Sequence, residues 1–241
     1  MNNIILHIPH SSKIIPENYL HEYTDKKELE ETILKLTDTY SNELFDIDSP
    51  HCTKVVFPFS RVFCDVERFN DEKEKMLRYG QGVIYTHGIN GKTFREPSEN
   101  SVSDIIKNYY EKHKLEVSEK IKQLKDVVLI DCHSFSNEIY KCTPFNCTDL
   151  PDICVGYNPA DHKSQNLSLF ISDYLDKLGY KISVNYPYHG SYQIDNIISV
   201  MIEINKKLYL NDDYLSKRND FYKIKSFINA LIKQIENYEI R

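Results

Sequence analysis

The 241-residue chain lacks the features that mark several common classes of protein. No apolar run approaches the ~20 residues that a membrane-spanning helix needs. Basic residues form no cluster, and 30 Lys and Arg stand against 36 Asp and Glu, which gives a formal net charge of -6. Because nucleic-acid-binding domains usually carry a basic patch, neither a membrane nor a nucleic acid is an expected partner.

Paired cysteines and a leader pattern are also missing. The six cysteines include no CxxC pair, and the spacing of Cys142, Cys147 and Cys154 matches no usual zinc module. The stretch from Met1 to Leu6 has no basic segment ahead of its apolar residues, so it does not follow the pattern of a signal peptide. We therefore expect free thiols and a cytoplasmic protein.

Short aliphatic runs alternate along the chain with stretches of helical periodicity. The runs at 2–8 and 127–130 are typical of buried strands, whereas 103–124 and 164–178 place apolar residues at helical spacing. Further strands are predicted at 53–57, 61–66, 153–156, 180–185 and 200–204, and further helices at 26–45, with a break near Thr37, and at 219–236. The alternation predicts one α/β domain over 1–241, a three-layer sandwich whose central mixed, mostly parallel sheet is flanked by helices.

Polar side chains with useful chemistry follow or belong to several of these elements. His10 comes just after the first predicted strand, and His133 just after the run 127–130. Asp38 lies in the first helical region, and Glu203 lies within the strand at 200–204. Because ligands of α/β sheets bind beyond the carboxyl ends of the strands, we expect these residues to form one site there.

Two imidazoles and two carboxylates suit metal-assisted hydrolysis. Catalytic zinc usually takes three nitrogen or oxygen ligands and lowers the pKa of a bound water towards ~7. A carboxylate off the metal can move the water proton, and Glu203, on an apolar strand, suits that role. Structural alternatives exist for each residue: a histidine after a strand can be a loop or capping residue, Glu203 can face solvent, and Asp38 can be a helix N-cap.

The order of several motifs resembles that of the N-formylglutamate amidohydrolase family, whose fold is similar to that of the zinc carboxypeptidases and aspartoacylase. The resemblance runs from the first strand to about Leu210. Its motifs are HIPHSS at 7–12, Asp38 with 43–45, SRVFCD at 60–65 with Arg68, LIDCHS at 129–134, NYPYHG at 185–190 and EIN at 203–205.

The resemblance implies a metallohydrolase that cleaves N-formyl-L-glutamate or a related N-acyl amino acid by attack of metal-bound water, with Glu203 as general base. His10 and His133 fall on the metal-ligand positions. The carboxypeptidase pattern would place a Glu three residues after the first His, but Lys13 stands there and cannot ligate. We therefore assign Asp38 as the third ligand of one divalent ion, with zinc as the expected metal.

The expected substrate is a small acidic amide. In the family an arginine, here Arg68, grips a carboxylate, and Arg61 is placed to assist it. Arg61 can alternatively form a structural ion pair with Asp65 under the site. The family has Asn before this arginine, whereas Glu67 stands here, and its charge disfavours an acidic substrate unless it pairs with Arg68 or points away.

Four further residues complete the predicted substrate site. Gly190 permits close backbone approach, His189 and Tyr192 are placed to line the pocket, and Asn205 belongs to the motif that carries Glu203. Two other functions stay open at the same site: a cell-wall peptide amidase or carboxypeptidase, and a non-catalytic small-molecule binding module. No pattern in the sequence indicates an oligomeric state.

Overall fold

The computed structural model describes residues 1–138, 140, 149–192, 194 and 197–239. Its strands are β1 Asn3–Ile8, β2 Cys52–Val56, β3 Val127–Phe135, β4 Ile153–Tyr157, β5 Ile182–Val184 and β6 Ile198–Asn205. They form one six-stranded sheet in the order β2-β1-β3-β6-β4-β5. Every neighbouring pair is parallel except β4 and β6, which are antiparallel. The prediction of a mixed, mostly parallel sheet is therefore confirmed.

Helices fill the connections between the strands. They are α1 Lys26–Leu36, α2 Ser41–Leu44, α3 Glu99–Ile105, α4 Glu111–Lys122, α5 His162–Lys177 and α6 Phe221–Asn237. A π-helical segment, Ile106–Tyr110, joins α3 to α4, and 3-10 helices span Glu17–Glu22, Lys75–Tyr79 and Lys206–Leu208. Within the described ranges, none of the helices has the length and apolar character needed to cross a membrane.

The two faces of the sheet bury different sets of side chains. On one face, α5 and α6 pack against aliphatic residues that include Ile130 of β3, and on the other α4 packs against Ile5 and Leu129. Successive residues of a strand point to opposite faces. In β3, Cys132 therefore joins the core under α5 and α6, while His133 points to the opposite face. Helices on both faces make the predicted three-layer sandwich.

One predicted helix break agrees with the structure, and one predicted strand does not. The break near Thr37 is confirmed, because α1 ends at Leu36 and Thr37 is extended, with φ -69° and ψ 136°. The strand predicted at 61–66 is wrong, because these residues form turns in which the Asp65 N–H donates to the Val83 carbonyl at 2.7 Å. The apolar run there is buried under the aromatic side chains of the α3–α4 region, and a short apolar run alone does not distinguish a strand from a buried loop.

A buried ion pair anchors the long loop between β2 and α3. Arg95 is 1% exposed, and its Nε donates to Glu22 Oε2 at 2.8 Å. Its Nη1 donates to the Phe63 carbonyl at 2.9 Å. Arg95 thereby joins the 3-10 helix Glu17–Glu22 to the turns that carry Asp65, and it holds this part of the loop against the carboxyl ends of the strands.

We predict that Arg95→Met destabilises the protein by roughly 3–5 kcal/mol, because the Glu22 carboxylate would stay buried without its partner. Urea unfolding at neutral pH measures the change. Arg218→Met, at an exposed arginine, is the matched control and should change the stability by less than about 0.5 kcal/mol. Equal effects of the two substitutions would show that the ion pair does not hold the loop.

Candidate metal centre

The carboxyl ends of three parallel strands bring the predicted residues together. His10 lies just beyond β1, and β3 carries His133, whose neighbour in the β6 register is Glu203. Asp38 lies between α1 and α2, where its N–H donates to the His10 carbonyl at 2.9 Å. All four side chains are buried, and the most exposed of them, Glu203, has 7% of its surface accessible.

Three of the side chains at this edge have donor atoms that converge as they would around a metal ion. Donor atoms of His10, Glu67 and His133 all lie within 4.8 Å of one another. Glu67 Oε2 is 3.1 Å from His133 Nε2 and 3.5 Å from His10 Nε2. Ligands that lie 2.0–2.2 Å from a tetrahedral zinc ion are separated by about 3.3–3.6 Å. The separations are therefore close to those of a ligand set.

Asp38 lies on the far side of the imidazoles from Glu67. Its Oδ2 is 3.2 Å from His133 Nδ1 and 3.9 Å from His10 Nδ1, and its Oδ1 accepts a hydrogen bond from Ser134 at 3.1 Å. Among the described residues, neither convergent donor group includes Asp38. The assignment of Asp38 as the third metal ligand therefore stays a prediction. In the structure Asp38 Oδ2 faces Nδ1 of His133, and the Nε2 of the same ring faces Glu67.

Glu67 is the carboxylate whose oxygens converge with the donor atoms of His10 and His133. It comes from the turns after β2, where its N–H donates to Asp65 Oδ1 at 3.2 Å. Its side chain is 18% exposed and faces the imidazoles of His10 and His133. The sequence signal was the departure from the family pattern at this position, which we interpreted only as a charge beside Arg68.

The electrostatics around His133 favour a bound cation. Burial lowers the pKa of His133, but the carboxylates of Glu67 and Asp131 outweigh burial and hold this pKa well above its usual value. Asp131 Oδ1 lies 3.2 Å from His133 Nε2. At His10, burial and then the charge of Arg61 lower the pKa. A divalent ion at the same position would offset the charge of these carboxylates in place of a proton on His133.

Glu203 lies beside this donor group without belonging to it. Burial raises the pKa of Glu203 to about 8, although the nearby His133 opposes the shift. Its Oε2 makes no hydrogen bond to any part of the chain that the structure describes. A buried carboxyl group with a raised pKa and an unpaired oxygen next to candidate ligands has the properties of a general base or acid.

Asp65 pairs with both of the arginines that are predicted to bind the substrate. Arg61 Nη2 and Nε lie 3.0 and 3.2 Å from Asp65 Oδ2, and Arg68 Nε lies 3.4 Å from the same oxygen. Tyr85 donates to this oxygen at 2.8 Å, and His10 Nε2 is 2.8 Å from Asp65 Oδ1. The structural ion pair between Arg61 and Asp65 is therefore present. The contact of Arg68 with substrate stays a prediction.

The remaining predicted residues fall in different surroundings. His189 is exposed, and Gly190 has a φ of +84°, which favours glycine. The Tyr192 ring packs on the imidazole of His7, with centroids 4.5 Å apart. The Asn205 side-chain amide donates to Asn137 Oδ1 at 2.7 Å and to the Pro151 carbonyl at 3.0 Å. Its N–H groups are therefore used in hydrogen bonds within the protein. Of these four residues, Tyr192 is the one whose ring packs on a buried histidine.

Neither of the two convergent donor groups found among the described residues includes a cysteine. The expectation of free thiols is confirmed for Cys52, Cys64, Cys132 and Cys154. Cys142 and Cys147, which would have formed the disfavoured cysteine cluster, lie outside the described residues.

The model of the N-formylglutamate amidohydrolase family matches residues 2–210. The chain is similar to the crystal structure of N-formylglutamate amidohydrolase from Ralstonia eutropha JMP134, with a TM-score of 0.81, 20% identity and coverage of 98% of this chain and 94% of that one. A gene product of Agrobacterium tumefaciens has a TM-score of 0.70, 17% identity and coverage of 98% and 92%. Curated protein sequences gave no match. At these identities the structures show a shared fold.

Metal retention distinguishes Glu67 from Asp38 as the third ligand. We predict that Glu67→Gln weakens zinc retention more than Asp38→Asn does. Loss of a ligand removes a bond to the ion, whereas loss of an outer partner of a ligating histidine costs roughly 10–100-fold in affinity. Competition against a chromophoric chelator measures both affinities under identical conditions. A larger loss in Asp38→Asn than in Glu67→Gln would restore Asp38 as the ligand.

Proposed function

This protein belongs to the N-formylglutamate amidohydrolase family, a family of amide hydrolases, and on that premise we propose that it hydrolyses an N-formyl or N-acyl amino acid with a zinc-type divalent ion. The observation that carries the metal dependence is the convergence of His10, Glu67 and His133 donor atoms within 4.8 Å in a buried site. His10 and His133 lie at the carboxyl ends of parallel strands, where ligands of such sheets bind, and Glu67 faces them from the loop after β2.

The residues of the site would have two roles in holding the ion: some would bind it, and one would orient a ligand. His10, His133 and Glu67 would be its ligands, and Asp38 would orient His133 by accepting a hydrogen bond from Nδ1, which lies 3.2 Å away. When bound, a zinc-type ion supplies Lewis acidity that polarises an amide carbonyl and makes a water easier to deprotonate.

Glu203 moves the proton in this proposal. Its carboxylate accepts the proton of the attacking water and returns it to the leaving nitrogen of the amide. Burial raises the pKa of Glu203 to about 8, and a positive charge held by the neighbouring donor group would lower this pKa towards neutrality. Near neutral pH the carboxyl group can then exist in both of the protonation states that the reaction requires.

Arg61 is the stronger candidate for a substrate carboxylate. Its Nε and Nη2 are held by Asp65, which fixes the guanidinium beside the site, and its side chain is 17% exposed. The charge of Arg61 acts on both His10 and Glu203. The carboxylate of Glu67 faces the imidazoles of His10 and His133, so a positive charge held there would offset its repulsion of an acidic substrate.

A hydrolysis screen tests the proposed function. Zinc-loaded protein is incubated with N-formyl-L-glutamate, other N-formyl and N-acyl amino acids and cell-wall peptides, and amine release is measured. We expect turnover of N-formyl or N-acyl amino acids that bear a free carboxylate. Turnover of cell-wall peptides alone would favour the amidase alternative, and binding without turnover of any compound would favour a binding module.

The Glu203→Gln variant tests the role of Glu203 in the same screen. We predict that kcat falls roughly 10²–10⁴-fold, because the amide cannot accept the water proton. The zinc content should stay at the wild-type value, since Glu203 is outside the donor group. A variant that keeps its kcat, or one that loses its zinc, would rule out this assignment.

Arg61 and Arg68 can be distinguished as the carboxylate-binding residue by paired substitutions. We predict that Arg61→Lys raises KM for the best acidic substrate roughly tenfold, because lysine cannot reproduce the planar fork of the guanidinium. Arg68→Lys should change KM less, since Arg61 is the arginine whose charge acts on both His10 and Glu203. Steady-state kinetics with an acidic substrate and its neutral amide analogue measure the effect. A larger rise in Arg68→Lys would restore the assignment made from the sequence.

A further inference from the structure

A second set of donor atoms converges next to the first. Donor atoms of His7, Glu67 and Asp131 all lie within 4.8 Å of one another. His7 Nδ1 is 2.8 Å from Asp131 Oδ1 and 3.7 Å from Glu67 Oε1. Ligands 2.0–2.2 Å from a divalent ion are separated by about 2.8–3.6 Å when the angles between them lie between octahedral and tetrahedral values. These separations are close to that range.

Glu67 is common to both sets, and both of its oxygens also lie close to His133 Nε2, Oε1 at 3.2 Å and Oε2 at 3.1 Å. Its Oε2 lies 3.5 Å from His10 Nε2, and its Oε1 lies 3.7 Å from His7 Nδ1. A carboxylate placed in this way can bridge two ions, and the ions of two-metal hydrolytic sites lie about 3.5–4 Å apart. We propose that the protein holds a second divalent ion, bound by His7 Nδ1, Asp131 and Glu67, with Glu67 bridging both ions. The proposal rests on the function proposed above and adds a site to it.

The ring of His7 is held from its opposite edge. Its Nε2 is 2.9 Å from His113 Nε2 in α4, and its ring lies between those of His113 and Tyr192, at centroid distances of 5.1 and 4.5 Å. A histidine that ligates a metal usually donates its other N–H to a nearby acceptor. His113 Nε2 is such an acceptor when the shared proton lies on His7, and the lone pair of His7 Nδ1 then faces Asp131.

Asp131 is oriented as a ligand would be. Its Oδ2 accepts the Tyr192 N–H at 3.0 Å, which turns Oδ1 towards His7 and His133, at 2.8 and 3.2 Å. Asp131 is 2% exposed and is paired with His7 in the register of β1 and β3. Both side chains therefore project from the same face of the sheet, and their positions are set by the strands rather than by a loop.

One competing arrangement uses the same atoms. Asp131 could join the first ion as a fourth ligand, with His7 Nδ1–H donating to it and His113 donating to His7. That arrangement holds one ion per chain, whereas the proposed arrangement holds two. The combination of one imidazole and two carboxylates suits Mn²⁺ as well as Zn²⁺ or Co²⁺, so Mn²⁺ can serve as a spectroscopic probe.

The test counts the ions and asks whether they interact magnetically. Protein stripped by a chelator is titrated with Mn²⁺, bound metal per chain is measured by elemental analysis after gel filtration, and electron paramagnetic resonance spectra are recorded on the same samples. We expect two ions per chain and the spectrum of a spin-coupled pair. His7→Gln should retain one ion with the spectrum of isolated Mn²⁺. His162→Gln, at an exposed histidine, should retain two.

Several outcomes would overturn the proposal. One ion per saturated wild-type chain, with an isolated spectrum, would remove the second site and leave the proposed function standing. Two ions in both the wild type and His7→Gln would show that His7 is not a ligand. No bound Mn²⁺ in the wild type would remove the second site as proposed, and the metal dependence would fall with it only if the same protein also retains no Zn²⁺. If His7→Gln does not fold, Asp131→Asn and the wild-type spectrum decide the question.

Discussion

Carboxylates buried beside imidazoles need a compensating positive charge, and much of this structure serves that need. Asp38, Asp65 and Asp131 are each at most 2% exposed, and Glu67 and Glu203 lie beside them. Unpaired buried charges are costly, so such groups are paired or bind a metal. Asp65 is satisfied by two arginines and Tyr85, whereas Glu67 and Asp131 face imidazoles. The carboxylates that have imidazoles rather than arginines as partners are therefore those at which the donor atoms converge.

The fold concentrates these groups by combining strands and one anchored loop. β1 and β3 supply His7 and Asp131 at paired positions, and β3 and β6 supply His133 and Glu203 in the same way. The loop after β2 contributes Glu67 and Asp65, and Arg95 holds it in place. The strands thus fix the positions of the imidazoles, and the loop adds carboxylates to the site.

The sequence predicted the parts of this site that depend on strands. The aliphatic run before Asp131 and the apolar residues around Glu203 indicate buried strands, and the ends of parallel strands meet at one edge, so His10, His133 and Glu203 could be placed together. The contact of Glu67 with His10 and His133 joins positions 57 and 66 residues apart through turns that were predicted as a strand. Periodicity carries no information about such turns. His7 and Asp131 belong to the motifs HIPHSS and LIDCHS. The nitrogen of His7 that faces an oxygen of Asp131 is set by hydrogen bonds that only the structure shows.

We propose that His10, His133 and Glu67 hold a divalent ion at the edge of the sheet. Crystals grown with zinc and measured on both sides of the zinc absorption edge would locate that ion. We expect an anomalous difference peak about 2.0–2.2 Å from an imidazole nitrogen of each histidine and from a Glu67 oxygen. A peak bound by Asp38 without Glu67, or no peak among these side chains, would contradict it.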